Sequence, residues 1–171
     1  MDTRHRMKAV FNYAAFQIGW FVLVLTQSPW SLVWALAFAA IHARILATPR
    51  EWQRVGVIMA FGILVDLGWH LSPWVQFNGA GWPIPLWLVG LWIMFPLTLN
   101  HSLAWLDRRP LLQIVFGGIG GGGSYIAGAQ FGAAEMAGPA YILIPLTWAL
   151  WLPLFYLWYA TEWPLRRRLA E

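Results

Sequence analysis

The sequence predicts an all-α protein: a polytopic bundle of six transmembrane helices with short loops and both termini in the cytoplasm. Three observations lead there. The 171 residues are 60% hydrophobic and only 11% charged, against about 25% charged in an average soluble domain. The apolar residues gather in stretches close to the roughly 20 residues that a helix needs to cross a bilayer. All eleven Lys and Arg fall in four clusters: Arg4, Arg6 and Lys8; Arg44, Arg50 and Arg54; Arg108 and Arg109; and Arg166, Arg167 and Arg168. The turns between them, near 27–29, 72–83 and 133–139, contain none. That is the positive-inside pattern, and it assigns every cluster and both chain ends to the cytoplasmic side.

The first helix is expected at about 9–27. Its cationic start resembles a secretory signal, but no small-residue cleavage site follows Leu25 and the segment contains Asn12 and Gln17, so it is read as retained. The others are expected at about 29–47, 52–71, 84–106, 111–133 and 139–160. Pro29, Pro49, Pro83, Pro110 and Pro139 stand at or beside the starts of segments, where a missing N–H costs least. Within segments, Pro96, Pro145 and Pro153 free the carbonyls of Trp92, Tyr141 and Ala149, and the helices should kink there. Trp20, Trp34, Trp92, Trp148 and Trp151 lie too deep for a headgroup belt, and such freed carbonyls are expected to accept their indole N–H groups. The turn at 72–83 holds Trp74, Phe77 and Trp82 with Asn78, Gly79 and Gly81, which suits an aromatic anchor in the outer headgroup layer or a lid.

The fifth segment is rich in glycine. Gly118, Gly120 and Gly123 satisfy GxGxxG, but no strand–turn–helix unit surrounds them, so no dinucleotide site follows. Gly120, Ser124, Gly128 and Gly132 recur every fourth residue and predict a ridge of small residues for close helix approach, within the chain or in a homo-oligomer. Absence of Cys excludes disulfides, thiolate metal sites and Cys nucleophiles. A pI near 10 arises here from short juxtamembrane clusters, so the expected partners are phospholipids and not nucleic acid. Arg44, Arg54, Arg108 and Arg109 are the candidate headgroup contacts.

Asp66 is the most demanding residue: counting from Arg54 at about 1.5 Å per residue places it roughly 18 Å deep. A carboxylate there has to be protonated, paired or facing a wet cavity. His70 lies one turn further on the same face, so the two form a candidate acid–base or proton-handling dyad, or a structural hydrogen-bonded pair. A metal would need further ligands and only Glu135 lies at similar depth, so neither metal nor cofactor is assigned. Tyr125 falls at the level of Asp66 and is expected to hydrogen-bond it if segments three and five pack together. Asn100, His101 and Ser102 come near the cytoplasmic surface, level with His42 and Asn12, and predict a second polar cluster rimmed by Arg44, Arg54 and Arg108. The plain alternative for each His is a core imidazole bonded to a carbonyl or hydroxyl.

The strings GILVDLGWHL, PIPLWLVGLWIMFPLTLNHSLAWL and GGIGGGGSYIAGAQFGA, with NYAAFQIGWFVLVL at the start, resemble the bacterial family catalogued as domain of unknown function 2878. Asn12, Gln17, Trp20, Asp66, Trp87, Trp92, Phe95, His101, Trp105, Ser124, Tyr125 and Gly128 match its pattern; Trp69 and His70 depart from it. The resemblance implies a multi-pass protein of the bacterial inner membrane, encoded among enzymes that modify fatty acyl chains. The expected role is thus assistance in modifying or handling phospholipid acyl chains, by holding a lipid or docking a peripheral acyl-modifying enzyme. Two alternatives stand beside it: an intramembrane lipid-acting enzyme using Asp66, His70 and Tyr125 or Asn100 and His101, and a small proton-linked transporter using Asp66.

Overall fold

Apolar runs that meet proline only at their beginnings propagate as helix, because the first turn has no internal partner for the N–H that proline lacks. The computed structural model describes residues 3–48 and 51–168, without the side chains of Arg4, His5 and residues 160–168. Pro49 and Arg50, and the side chains of Arg4, Arg166, Arg167 and Arg168, therefore lie outside the described residues. The elements are α1 (Thr3–Thr26), α2 (Leu32–Ile45), α3 (Glu51–His70), β1 (Val75–Phe77), α4 (Leu86–Met94), α5 (Pro96–Leu99), α6 (Pro110–Phe116), α7 (Gly123–Gln130), β2 (Ala134–Met136) and α8 (Ala140–Arg168). Pro29 opens the single 3-10 turn that leads into α2, Pro96 opens α5 and Pro110 opens α6.

The protein is mostly helical, and helix forms in each of the six expected segments. Two stretches, Arg6–Thr26 and Ala140–Tyr159, are long and apolar enough to cross a membrane. The apolar stretches Pro29–Ile45 and Leu86–Leu99 are shorter, and α3 contains Glu51, Arg54 and Asp66.

Three features differ from expectation. The fourth segment is not one helix: it breaks at Pro96, ends at Leu99, and resumes as a 3-10 turn at Ala104–Leu106. Side chains from three other helices take the carbonyls this leaves. Leu97 O accepts from Asn12 Nδ2 at 3.2 Å, Leu99 O and Leu103 O from the Tyr156 hydroxyl at 3.3 and 2.7 Å, and Leu106 O from Gln113 Nε2 at 2.9 Å. An interior carbonyl without a partner would cost on the order of 1–3 kcal/mol, which accounts for polar residues at these buried positions. In contrast, α8 continues as helix through Pro145 and Pro153.

The fifth segment contains a π-helical turn, Gly117–Gly122, between α6 and α7. A π turn fits more residues into each revolution than an α turn, and so it shifts which residues face a neighbour. The residues packed against α8 are Gly117, Gly121 and Gly122: an added Cβ would collide with the Trp148 carbonyl, the Trp148 ring and Pro145 respectively. Within the chain, the ridge expected from four-residue spacing is not a packing face, since a Cβ on Gly120, Gly128 or Gly132 meets nothing within 4 Å.

Finally, the turns at 72–83 and 133–139 pair as a two-stranded antiparallel sheet, with Val75 opposite Met136, Gln76 opposite Glu135 and Phe77 opposite Ala134. Asn78 extends the pairing, its N–H donating to Ala133 O at 2.9 Å and its side chain to Gly132 O at 3.0 Å. Gly79, at φ +111°, lies against Gln27 O, so the three turns lacking Lys and Arg meet at one end. At the other end Lys8 donates to Ile45 O at 3.0 Å, joining two of the basic clusters.

Candidate functional site

Two buried polar centres lie at different depths along the helices. The deeper is Asp66, which is completely buried. Its Oδ2 accepts from the Trp92 indole N–H at 2.6 Å and its Oδ1 from the Tyr125 hydroxyl at 2.7 Å. The expected bond from Tyr125 is present. Trp92 enters through α4, packed so closely on α3 that a Cβ at Gly62 would strike its ring. The acceptor for this deep indole is therefore a carboxylate and not a carbonyl freed by proline. Trp34 does use a main-chain carbonyl, that of Ala15 at 3.3 Å, and the buried Trp148 N–H makes no hydrogen bond.

His70 is not part of this centre, which corrects the dyad expected from helical spacing. Its Nδ1 accepts from the Phe77 N–H at 3.1 Å, and its ring stacks on Phe77 at 5.9 Å. The imidazole lies at the end of α3 and secures the strand that follows. Glu135 is exposed in β2 and supplies nothing to Asp66.

The second centre combines residues expected together with one that was not. Asn12 Oδ1 accepts from the Ser102 hydroxyl at 2.6 Å. His42 and His101 meet edge to face with centroids 4.6 Å apart. Between them is Glu51, fully buried, with Oε1 2.8 Å from His101 Nε2 and Oε2 3.4 Å from His42 Nε2. Thr48 fixes the carboxylate by donating its N–H and hydroxyl to Oε2 at 2.8 and 3.3 Å. Glu51 reads in sequence as an ordinary acidic residue in the first turn of a helix, where it complements the dipole; only the capping pattern Thr48-x-x-Glu51 marked it. Asn100 caps α5 immediately before His101.

The rim is partly as expected. Arg44, Arg108 and Arg109 are exposed, and Arg108 Nε lies 3.8 Å from Asp107 Oδ2. Arg54 turns inward, its guanidinium 4.9 Å from the centroid of the Tyr159 ring.

A cavity of about 760 Å³ runs beside both centres, between α1, α4 and the glycine-rich segment. That volume falls within the roughly 300–1,000 Å³ usual for ligand pockets. Phe16, Trp20, Phe131 and Trp148 give it an aromatic wall; Gly120 and Gly128 form a bare strip along it. Trp92 and Tyr125 belong to the wall, with Asp66 behind them. Ser102, bonded to Asn12, lies on the lining too. Asp66 can thus hold two wall side chains in one orientation, while both its oxygens are already engaged by donors.

Fold and site together define a helical protein with an apolar, aromatic-walled cavity backed by a buried carboxylate. The chain belongs to the family described as Protein of unknown function (DUF2878), whose sequence profile matches residues 9–154. No curated protein and no solved structure matches the chain.

Proposed function

We propose that the protein crosses the bacterial inner membrane six times, with both termini cytoplasmic, and holds a lipid acyl chain in the cavity, assisting modification or handling of phospholipid acyl chains. The cavity carries this reading: it is apolar, aromatic and large enough for a flexible chain. Exposure supports the membrane setting. Val10, Ile18, Leu36, Leu64, Leu146 and Leu150 face outward, whereas Asn12, His42, Glu51, Asp66 and Gln113 are buried. Apolar surface on the outside of several helices, with polar groups turned in, suits hydrocarbon as the solvent and is unfavourable in water.

Headgroups fit the same picture. Arg44, Arg108 and Arg109 stand exposed, and each basic residue near an anionic leaflet contributes about 1 kcal/mol of attraction. A peripheral acyl-modifying enzyme with an acidic surface would dock on the same charges. Asp66 acts by positioning Trp92 and Tyr125, which favours a holding role over an intramembrane enzyme with Asp66 as base.

The test is lipid retention. Protein purified in mild detergent should yield bound phospholipid or fatty acid by extraction and mass spectrometry. Gly120→Leu would place a side chain in the cavity, since a Cβ there touches nothing. The variant should fold and lose that lipid; equal retention by both proteins would refute occupation of the cavity.

A further inference from the structure

We propose that His42, Glu51 and His101 form a binding site for a divalent transition-metal ion of the zinc class. Three separate pieces of chain deliver the ligands: the last turn of α2, the first residue of α3 and the turn after α5. Their nearest nitrogen and oxygen atoms all lie within 4.8 Å of one another. Two atoms bound tetrahedrally at about 2.0–2.1 Å are roughly 3.3 Å apart, close to the 3.4 Å between His42 Nε2 and Glu51 Oε2.

His42 is the independent observation. It is 1% exposed, and neither ring nitrogen has a hydrogen-bond partner. Buried polar groups are nearly always bonded, whereas His42 Nδ1 has no partner and Nε2 only approaches Glu51 Oε2, at 3.4 Å, so the imidazole is available to a ligand. His101 and Glu51 do bond each other, and Thr48 orients Glu51 from behind, the kind of outer contact that fixes a ligating carboxylate. Two imidazole nitrogens and one carboxylate oxygen suit zinc and its neighbours, whereas calcium and magnesium take oxygen ligands.

The surroundings limit the charge the site can take. Glu51 is the one carboxylate in the cluster, Trp52 flanks His42 at 6.2 Å, and Arg54, a turn further along α3, is drawn over the Tyr159 ring. Glu51 and two neutral imidazoles leave a bound dication with one net positive charge and a fourth coordination position. Binding therefore displaces any proton shared between His101 and Glu51. Ser102, next to His101, lies on the cavity lining, so the site adjoins the inner part of the cavity. Such a centre would accept water or an anionic oxygen. The inference does not depend on an acyl chain occupying the cavity.

The experiment uses the full chain in detergent, stripped with a chelator, dialysed and titrated with zinc or cobalt(II). One ion per chain by elemental analysis, the visible absorption of low-coordinate cobalt(II) and a rise in melting temperature are expected. His42→Ala removes one ligand side chain and keeps the His101–Glu51–Thr48 contacts. Loss of its buried packing on Phe38 and His101 should lower the metal-free melting temperature, so the comparison is of metal affinity in the folded proteins and of the further rise in melting temperature on adding metal. The variant's affinity should fall at least roughly tenfold, with the cobalt absorption lost. Failure of the native protein to bind a stoichiometric ion, a result that needs no variant, would overturn the proposal. Unchanged binding in His42→Ala would also overturn it, by placing the ion elsewhere.

Discussion

Replacing Asp66 by Ala removes the common acceptor of two buried donors. Trp92 Nε1 and the Tyr125 hydroxyl, now 2.6 and 2.7 Å from the carboxylate, would both be left without a partner. At about 1–3 kcal/mol for each unsatisfied group, the loss is on the order of 2–6 kcal/mol. Tyr125→Phe removes one donor and should cost about 0.5–1.5 kcal/mol for a neutral hydrogen bond or about 1.5–3 kcal/mol for one to a charged oxygen. In the double variant the Tyr125 hydroxyl is gone along with its acceptor, so the second substitution should cost nothing further. The coupling then equals the cost of Tyr125→Phe alone, about 0.5–3 kcal/mol, which equilibrium unfolding in mixed micelles followed by circular dichroism would resolve. Additivity within about 0.5 kcal/mol would refute the shared-acceptor account. Asp66→Asn gives a further check. An indole N–H only donates, whereas a hydroxyl donates or accepts, so the amide can turn its oxygen to Trp92 and its nitrogen to Tyr125. Asn should be the mildest of the substitutions at this position. If it is as damaging as Ala, negative charge and not hydrogen bonding is what the site requires.

Gly117→Ala and Gly122→Ala should destabilise the protein by about 1–3 kcal/mol in the same unfolding assay, because their Cβ atoms meet the backbone of α8. Gly128→Ala, with open space around it, should be neutral or stabilising by up to about 1 kcal/mol. Tyr156→Phe would strip the hydroxyl from Leu99 O and Leu103 O, with an expected loss of about 1–3 kcal/mol. Thr48→Val removes the hydroxyl contact behind Glu51 and should weaken zinc binding by about tenfold in the chelator-stripped protein, with lipid retention unaffected.

Much of this architecture is readable from residue type and spacing. Segment positions follow from apolar length and from prolines at helix starts, and the Asp66–Tyr125 bond follows from matched depth on two helices. What is missed has definable causes. Strands of three residues, 75–77 and 134–136, are too short to show an alternating pattern and exist only because two distant turns meet. The π turn at Gly117–Gly122 is hidden because glycine carries no side chain to reveal periodicity, and counting in fours then misses the face that packs on α8. Helical spacing pairs His70 with Asp66, yet the main chain after α3 offers His70 a closer partner at Phe77. Glu51 carries only the capping pattern with Thr48 in sequence, and its place in the polar centre depends on His42 and His101, which tertiary folding brings to it.

The interrupted fourth segment also sets a timetable for synthesis. The carbonyls of Leu99 and Leu103 wait for a hydroxyl that is made more than fifty residues later, on Tyr156. A chain emerging from its N-terminus therefore passes the middle of the protein with those groups still open, and only the final helix closes them. Nascent chains halted before Tyr156 should be held open there and be the forms that quality-control proteases remove, whereas loss of the residues beyond 160 leaves this closure intact.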